Sequence, residues 1–465
     1  MAAQVARGQR VAYFFPGRHY PLLRTPRLRR WKRGGVAMYE WLNSPIVVGV
    51  HRGTPNPEAD LSHPGAEATF AEVLEQVGPD IVHVHDLGGL PSSLVDVVRA
   101  AGRPAVMTLL DYHPLCPTIK LFDVDAAICL RTEPGAPCAR CCAHAPLDNY
   151  ELRERTLAFE ANRARRSVPG VDAVLSHRGV QRAVLAVGQR IAAMNAGEPP
   201  GEEEAAPTSS SPAAYQRRRD VNVERLNSFD LLLPMSGRSA EIYAMLGVEP
   251  ARLRPIELTL RHLENLRPGR VAGTSPPLTF AVLNAMPSPQ KGSQLVVAAL
   301  RLLRDAGLGG CYRLRVAGWT PADVEGQLRE HPEVELTGPY GSDDLDRILT
   351  GVDVGLIPSI WEEVYGFIGP EFLAKGIPVI GNALGGIPEY VRDGETGWLN
   401  TASSAAGLAG WMENAIRHPE QVAALSERVI ARRHELIKPL ARHVEEIDAI
   451  YRELLARRER LAAGS

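Results

Sequence analysis

The feature that most constrains the fold of this chain is an alternation of short apolar runs, rich in β-branched residues, with longer segments of helical periodicity. In the first half the predicted strands are "RVAYFF" (10–15), "PIVVGVH" (45–51), "DIVHVHD" (80–86), "PAVMTLLD" (104–111), "AVLS" (173–176) and "DLLLPMS" (230–236). Nearly continuous apolar strands separated by helices indicate parallel sheets that helices cover on both faces.

The alternation restarts after a segment rich in Pro and Gly, 266–278, which we interpret as an interdomain linker. We therefore expect two doubly wound α/β domains, residues 1–265 and 279–440, followed by an amphipathic helix over 441–465. Ligands of such sheets bind at the carboxyl ends of the strands, so the cleft between the domains is the expected site. The second set of predicted strands is "TFAVLNA" (279–285), "YRLRVAG" (312–318), "VELTG" (334–338), "DVGLIPS" (353–359), "IPVIGN" (377–382) and "TGWLN" (396–400).

The composition of the 465 residues, with 45% hydrophobic and 23% charged residues, is that of a globular protein. A formal net charge of -2 gives no indication of a nucleic-acid partner. There is no apolar stretch of membrane-spanning length and no signal-peptide pattern, so we expect a cytoplasmic protein. Neither G-x-G-x-x-G after a strand nor a P-loop motif occurs, which disfavours a dinucleotide enzyme and a P-loop ATPase. Residues 195–214, rich in Pro, Ser, Ala and Glu, predict a disordered insertion in the first domain.

Two acids flank a glycine-containing turn in "WEEVYGFIGPEFLAKGIPVI" (361–380). Glu371, at a predicted helix start, could simply complement the helix dipole. Alternatively, the free amides of the helix start bind a phosphate, and Glu363 and Glu371 contact hydroxyl groups on either side of it. A nucleotide-sugar, with ribose on one side and a sugar on the other, would satisfy the second interpretation. The spacing alone leaves both open.

The longer segment "PSIWEEVYGFIGPEFLAKGIPVIGNALGGIPEYVRDGETGWL" (358–399) resembles the donor-binding segment of retaining glycosyltransferases of family 4. The E-x7-E spacing, the G-x-P-V-I strand and the "GGIPE…DGETGWL" tail occur together and in order. Weaker resemblance covers "PDIVHVHDLGGLPSSL" (79–94) and "PSPQKGSQLVVAAL" (287–300). The resemblance implies the GT-B architecture, in which two Rossmann-like domains face a cleft and a C-terminal helix returns to the N-terminal domain.

The resemblance also implies roles for residues of the second domain. The family commonly has an Arg in a "GR" pair where this chain has Ala285-Met286, so one part of the usual diphosphate clamp is missing. The implied donor contacts are ribose for Glu371, sugar hydroxyls near the anomeric centre for Glu363, phosphate for Lys291, distal phosphate or sugar for the amides of Gly366, Phe367 and Ile368, and nucleobase for Tyr340.

In the first domain, which the resemblance makes the acceptor domain, the family often has "TLHDYW" where this chain has "TLLDYHP" (108–114). Leu110 thus stands in place of the customary histidine. The candidate catalytic substitutes are His113, Asp111 and His85. Gly35, in "RGGVAMYEWL" (33–42), resembles the family's glycine loop near the sugar and the phosphates.

Five of the six cysteines lie in a short window, 116–142. The C-x-x-C spacing of Cys138 and Cys141, completed by Cys116 and Cys129, predicts a structural zinc site, although disulfides and free thiols remain open because Cys142 adds a fifth thiol. A basic run, "RTPRLRRWKR" (24–33), is either a solvated loop or a surface for peripheral membrane contact or a phosphorylated acceptor.

The resemblance therefore implies a retaining glycosyltransferase of the hexosyltransferase type, without an obligatory metal cofactor. The expected donor is a nucleotide-sugar, with UDP-sugars before GDP-sugars, and the acceptor is a small molecule, a lipid carrier or a glycan. Two alternatives stay open: a nucleotide-sugar epimerase of the same fold, and a non-catalytic nucleotide or glycan binder.

Overall fold

The computed structural model describes residues 1–49, 52–167, 211–269, 271–284, 286 and 288–463, with scattered residues between 179 and 190. Within these residues the strands are β1 (Ala12–Pro16), β2 (Arg27–Arg33), β3 (Val36–Leu42), β4 (Val82–Val84), β5 (Ala105–Leu109), β6 (Leu231–Pro234), β7 (Leu278–Leu283), β8 (Tyr312–Ala317), β9 (Val334–Gly338), β10 (Val354–Ile357), β11 (Val379–Asn382) and β12 (Gly397–Asn400). The predicted strand at 173–176 lies outside the described residues.

Helices separate most of these strands, as the alternation predicts. In the first half the α-helices are Ala2–Ala6, Pro64–Val77, Leu94–Ala100, Gly135–Cys141, Tyr150–Ser167, Pro212–Leu226, Gly237–Met245 and Arg261–Asn265. In the second half they are Ser293–Asp305, Ala322–Leu328, Leu345–Ile348, Ile368–Ala374, Ile387–Tyr390, Ala405–Arg417, Pro419–Ala431, Arg433–Leu436 and Leu440–Ala463. No helix of the described residues is long and apolar enough to span a bilayer.

The C-terminal domain contains one parallel sheet in the order β12-β11-β10-β7-β8-β9. Every residue of β10 and β11 is buried, because helices cover both faces of the sheet. On one face, the apolar side of helix Ser293–Asp305 shares a core with helix Ala405–Arg417. This is the doubly wound arrangement that the sequence predicts.

The N-terminal domain contains two three-stranded sheets, in the orders β1-β3-β2 and β4-β5-β6. β4, β5 and β6 are parallel, and every residue of β5 and β6 is buried. β1 and β4, in contrast, contain no fully buried residue. A cavity described below lies between them and accounts for this exposure.

The basic run is not a solvated loop, and the loop interpretation is wrong. Residues 27–33 form β2, which pairs antiparallel with β3 from Arg27↔Leu42 to Arg33↔Val36. Gly34 and Gly35 form the hairpin turn, with φ of +55° and +82°, the left-handed region that two-residue turns require. A run of cations is unfavourable in a buried strand, but an edge strand leaves them at the surface.

The predicted strand 45–51 does not form in its described residues, 45–49. A side chain occupies the backbone groups there: Asn149 Nδ2 donates to the carbonyls of Ser44 and Ile46, and Val48 N donates to Asn149 Oδ1. Because these groups are already paired with a distant amide, an apolar segment with β-branched residues follows an irregular path.

The predicted insertion and the C-terminal helix were the two segments expected outside the regular α/β alternation. Of the predicted insertion, 195–210 lies outside the described residues, but its end is ordered, because Ser211 Oγ caps helix Pro212–Leu226. The C-terminal helix, Leu440–Ala463, returns to the N-terminal domain as expected. Its apolar residues pack with strands β5 and β6 in one cluster that includes Val106, Leu233 and Ile450.

Candidate active site

The candidate site lies where the strand order of the C-terminal sheet reverses. β7 and β10 are neighbours in the sheet, although β8 and β9 come between them in the chain. The segments after β7 and β10 therefore leave the sheet side by side, and open α/β sheets bind ligands at such a switch point. The first segment carries Asn284 and Lys291, and the second carries Ser359, Glu362 and Glu363.

Lys291 and Glu363 form an ion pair at this point. Lys291 Nζ lies 2.5 Å from Glu363 Oε1, and Ser359 Oγ donates to the same oxygen at 2.8 Å. Lys291 Nζ also lies 5.1 Å from the centroid of the Trp361 ring, within the range of a cation–π contact. The Glu363 side chain is 8% exposed and that of Lys291 27%. The ammonium group is therefore the part of the pair that a ligand reaches more easily.

Buried polar atoms around this pair have hydrogen-bonding capacity that the protein does not use. In the part of the chain that the structure describes, these atoms have no partner: Gln290 Oε1, Trp361 Nε1, Tyr390 OH and Tyr112 OH. Burial raises the pKa of Tyr390, and the charge of Glu363 raises it further. An unpaired buried polar atom costs roughly 1–3 kcal/mol, so these atoms favour a polar ligand at this position.

Glu371, in helix Ile368–Ala374, is paired with a histidine near the end of the first domain. His262 Nε2 lies 2.7 Å from Glu371 Oε1. Burial raises the pKa of the Glu371 carboxyl, while the hydrogen bond and the charge of His262 act to lower it. His262 belongs to helix Arg261–Asn265, so this contact joins the end of the first domain to the E-x7-E segment.

Tyr340 follows β9 and lies on the Glu371 side of the site. Its hydroxyl accepts a hydrogen bond from Asn284 Nδ2 at 3.0 Å. Burial raises the pKa of Tyr340, and the charge of Glu371 raises it further. Asn284, Tyr340 and Glu371 thus form a second polar cluster beside the Lys291–Glu363 pair.

The turn between the two acids carries Gly366, Phe367 and Ile368. The helix begins at Ile368, with Phe367 at its N-cap. Gly366 lies beside the first acid, because a Cβ on it would stand 3.8 Å from the carboxylate carbon of Glu363. These three residues therefore connect the two polar clusters along the chain.

In the N-terminal domain, Asp111 and His113 lie together on the segment after β5. Asp111 Oδ1 accepts a hydrogen bond from His113 N at 2.7 Å. Burial raises the pKa of Asp111 to about 6, against the effect of that hydrogen bond. Burial, with the charge of Arg218, lowers the pKa of His113 to about 3. Both residues line a cavity of about 200 Å³, together with Asp86.

Tyr112 connects this cavity to the C-terminal domain. It is fully buried, and its ring centroid lies 5.7 Å from that of Tyr243, whose hydroxyl donates to the carbonyl of Asp111. Burial raises the pKa of Tyr112, and the carboxylates of Glu362 and Glu363 raise it further. The segment after β5 therefore borders the E-x7-E segment across the cleft.

His85 lines a second, larger cavity and is not brought to Glu363. This cavity, of about 370 Å³, lies between β1 and β4 and is lined mostly by aromatic and aliphatic side chains. The His85 ring stacks on that of His83 at 4.1 Å, and His83 is itself bonded to Thr108 and Tyr451. Asp86 lines both cavities, so the two adjoin.

Gly35 lies at the other end of β1. Ala12, the first residue of β1, pairs with Ala37, so the hairpin turn stands at the amino end of β1, whereas ligands of such sheets bind at carboxyl ends. A Cβ on Gly35 would stand 2.6 Å from Val5 Cγ1. The structure places Gly35 against the first helix and away from the Lys291–Glu363 pair.

The five clustered cysteines, Cys116, Cys129, Cys138, Cys141 and Cys142, are free thiols. In the described part of the chain, no group of three or more His, Cys, Asp and Glu side chains is arranged to hold a metal ion. Arg131 Nη1 donates to Cys129 Sγ at 3.0 Å, and Arg219 is close enough to Cys116, Cys138 and Cys129 for their charges to act on its pKa. An arginine fixed beside the thiols repels a zinc ion, because both are cations. This arrangement therefore does not support the predicted zinc site.

Sequence reasoning missed four polar residues of the site: Asn284, Ser359, His262 and Arg238. The first two lie at the carboxyl ends of predicted strands, and that position was itself a usable signal. Arg238 donates to Glu362 across 124 residues, and His262 meets Glu371 across 109. No local pattern can reveal contacts of that separation.

Residues 277–418 match the model of the family "Glycosyl transferases group 1". The chain is also 29% identical over 132 residues to the amylovoran biosynthesis glycosyltransferase AmsK of Erwinia amylovora, a match that covers 26% of this chain and 31% of AmsK. The chain spans less than half the length of the curated relatives it matches.

Solved GT-B structures resemble the fold over nearly its whole length. The sucrose-phosphate synthase of Thermosynechococcus elongatus has a TM-score of 0.60 at 15% identity, covering 98% of this chain and 92% of the other. HepE of Anabaena, in complex with UDP and glucose, has a TM-score of 0.52 at 13% identity, covering 90% and 86%. The second domain therefore matches the glycosyl transferases group 1 family, and the chain as a whole has the fold of these GT-B structures.

Proposed function

We propose that the protein is a retaining glycosyltransferase that moves a sugar from a nucleoside-diphosphate donor to a hydroxylated acceptor. The observation that carries this proposal is the Lys291–Glu363 pair at the switch point of the second sheet, surrounded by buried polar atoms without partners. A cation, a carboxylate and unpaired hydrogen-bonding groups match the diphosphate and the hydroxyls of a nucleotide-sugar.

Lys291 binds the donor diphosphate, and Glu363 binds hydroxyl groups of the sugar. In the structure each neutralises the other, so the buried Glu363 has a cationic partner before any donor arrives. A diphosphate offers Lys291 a stronger anion, while sugar hydroxyls donate to Glu363. The amides of Gly366, Phe367 and Ile368 lie on the turn beside this pair and face the same phosphates.

Glu371 and Tyr340 bind the nucleoside. The Glu371 carboxylate accepts hydrogen bonds from the ribose hydroxyls, with His262 holding one of its oxygens. Tyr340, fixed by Asn284, lies on the same side and contacts the base. Because the Glu371 side chain is 11% exposed in this pair, its remaining oxygen is the one available to a ligand.

The acceptor binds in the N-terminal domain at the smaller cavity. Asp111 and His113 line it, and Tyr112 between them borders Glu363 across the cleft. The pKa of Asp111, although burial raises it to about 6, lies below 7, so this carboxyl is mostly ionised at neutral pH and accepts a hydrogen bond from an acceptor hydroxyl. The adjoining larger cavity, which His85 lines, gives space for the body of the acceptor.

The reaction breaks the bond between the anomeric carbon and the diphosphate oxygen and forms a bond from that carbon to the acceptor oxygen. The acceptor proton passes to the departing diphosphate, on the same face of the sugar, which retains the anomeric configuration. Lys291 stabilises the negative charge on the leaving group. Contact between the domains excludes water and aligns the two substrates.

The test is calorimetric titration with UDP-glucose, GDP-mannose and ADP-glucose, followed by assays of nucleotide release with and without candidate acceptors. HepE binds UDP and glucose, which makes UDP-glucose the first donor to try. We expect acceptor-dependent UDP release. Conversion of the bound sugar without any acceptor would identify an epimerase, and binding without release would identify a non-catalytic binder.

Glu363→Gln should remove the activity, while Glu395→Gln serves as the matched control. Glu395 lies in the same domain, and its partner Arg432 is 36% exposed. If no nucleotide-sugar binds, or if both variants lose binding equally, the proposal fails.

A further inference from the structure

One set of contacts joins the two domains next to Glu363, and no step of the proposed reaction uses them. Glu362 is buried and accepts two hydrogen bonds from one guanidinium: Arg238 Nη2 to Oε1 at 2.7 Å and Arg238 Nε to Oε2 at 3.2 Å. Arg238 belongs to helix Gly237–Met245 of the N-terminal domain. Such a two-pronged pair fixes the orientation of both groups as well as their separation.

Neighbouring residues extend this contact on both sides. Ser236 Oγ donates to the carbonyl of Val364 at 2.5 Å. Gly237 N donates to Glu389 Oε1 at 2.6 Å, which places a carboxylate of one domain at the N-terminus of a helix of the other. We call residues 236–238, together with their partners 362, 364 and 389, the interdomain seam.

The seam is coupled to Glu363 through a tight turn. Gly385 N donates to Glu362 Oε2 at 2.9 Å, and Gly386 N donates to the carbonyl of Glu363 at 2.7 Å. A Cβ on Gly385 would stand 2.1 Å from that carbonyl oxygen, so the turn lies directly on the backbone of the two acids. The consecutive amides of Gly385 and Gly386 thus hold Glu362 and Glu363. A displacement of Glu362 must therefore also displace Glu363.

We propose that Arg238 is a positioning residue that aligns the Glu363 carboxylate only while the two domains are in contact. When the domains separate, Glu362 keeps the Gly385 amide and loses its cation. The segment that carries Glu363 then loses its Arg238 anchor on the N-terminal domain. Acceptor-domain contact therefore becomes a condition for an aligned donor site, which limits wasteful hydrolysis of the donor. This inference rests on the proposed role of Glu363 in donor binding.

The chain offers a matched control for this proposal. Arg238 Nη1 also lies 3.1 Å from Glu241 Oε2, a contact within its own helix whose acid is 67% exposed. Glu241→Gln removes that contact and leaves the seam intact. Arg238→Ala removes both, Arg238→Lys keeps the charge without the fork, and Glu362→Gln removes the charge from the other side.

The variants are compared by hydrolysis of UDP-glucose to UDP, by calorimetric titration with UDP, and by the radius of gyration from X-ray scattering. Arg238→Ala should lower the hydrolysis rate at saturating UDP-glucose about 30-fold, near the lower limit for truncating one partner of a charge pair, because Glu362 is buried and Arg238 only partly so. The Kd for UDP should change less than about threefold, and the radius of gyration should increase. Glu241→Gln should match the wild type, and Arg238→Ala should add little in a Glu362→Gln background.

The proposal would be overturned if Arg238→Ala hydrolysed UDP-glucose at the wild-type rate, or if Glu241→Gln lost as much activity as Arg238→Ala. Additive losses in the double variant Arg238→Ala/Glu362→Gln would also overturn it. If Arg238→Ala does not fold, Arg238→Lys carries the test, because it keeps the stem and the charge. If the wild type binds no UDP, the proposed function fails, and scattering still decides on the seam: equal radii for the wild type and Arg238→Ala would refute it.

Discussion

Lys291→Met removes the cation of the proposed diphosphate site and keeps most of the apolar stem. The ammonium group gives up its hydrogen bond to Glu363 at 2.5 Å and its contact with the Trp361 ring at 5.1 Å. A hydrogen bond to a charged group contributes about 1.5–3 kcal/mol to stability, and the ring contact about 0.5–1 kcal/mol. Ser359 still donates to Glu363 at 2.8 Å, so we expect a net loss near the lower limit, roughly 2 kcal/mol.

The expected loss of donor affinity follows from the same positive charge. A phosphate contact of comparable strength, about 2 kcal/mol, corresponds to about a 30-fold rise in the Kd for UDP. Lys375→Met is the matched control. Lys375 Nζ pairs with Asp346 Oδ1 at 2.7 Å, and its side chain is only 7% exposed, yet it lies outside the switch point. This variant should lose as much stability and bind UDP as the wild type does.

The assay combines thermal unfolding with titration calorimetry of UDP on both variants. If Lys375→Met weakens UDP binding as much as Lys291→Met does, the loss reflects general destabilisation and not a phosphate contact. If Lys291→Met binds UDP with wild-type affinity, the diphosphate is held elsewhere and the assignment of Lys291 is wrong.

Three further outcomes test other parts of the site. Glu371→Gln should weaken binding of UDP about tenfold and that of the free base uracil little, since only the nucleotide carries ribose hydroxyls; equal losses for both ligands would contradict a ribose contact. Gly385→Ala should lower donor hydrolysis, because its Cβ would stand 2.1 Å from the Glu363 carbonyl oxygen. The control is Gly394→Ala, which is also at positive φ but in open space and should lose only about 1 kcal/mol of stability. Similar activity in the two variants would argue against the close approach. The pKa of Asp111 is raised to about 6 in the folded protein above about 3.9 in the unfolded chain, so its contribution to stability is largest below pH 4 and is lost as the pH rises through 6. In urea unfolding at pH 4 to 7, the wild type should therefore lose stability relative to Asp111→Asn as the pH rises, and parallel curves would refute the shift.

The repeated α/β pattern and the E-x7-E segment can be predicted from the amino-acid sequence. Both are local: apolar runs of strand length predict parallel strands wherever helices separate them, and Glu363 and Glu371 are eight positions apart on one strand–turn–helix unit. Lys291 was identified by the family resemblance of its segment, which follows the first strand of the second domain. That Lys291 and Glu363 form an ion pair followed only from the sheet order, which makes β7 and β10 neighbours.

The distant groups that complete the site could be identified only from the folded chain. Arg238 and Glu362 come from different domains, and His262 contacts Glu371 from the last helix of the first domain. Residues 27–33 of the basic run form a strand because they pair with β3. Residues 45–49 form none, because the Asn149 side chain is hydrogen-bonded to their backbone groups. In each case the contacts or the secondary structure of a residue depend on a partner far away in the chain. Local secondary-structure propensity does not encode that partner.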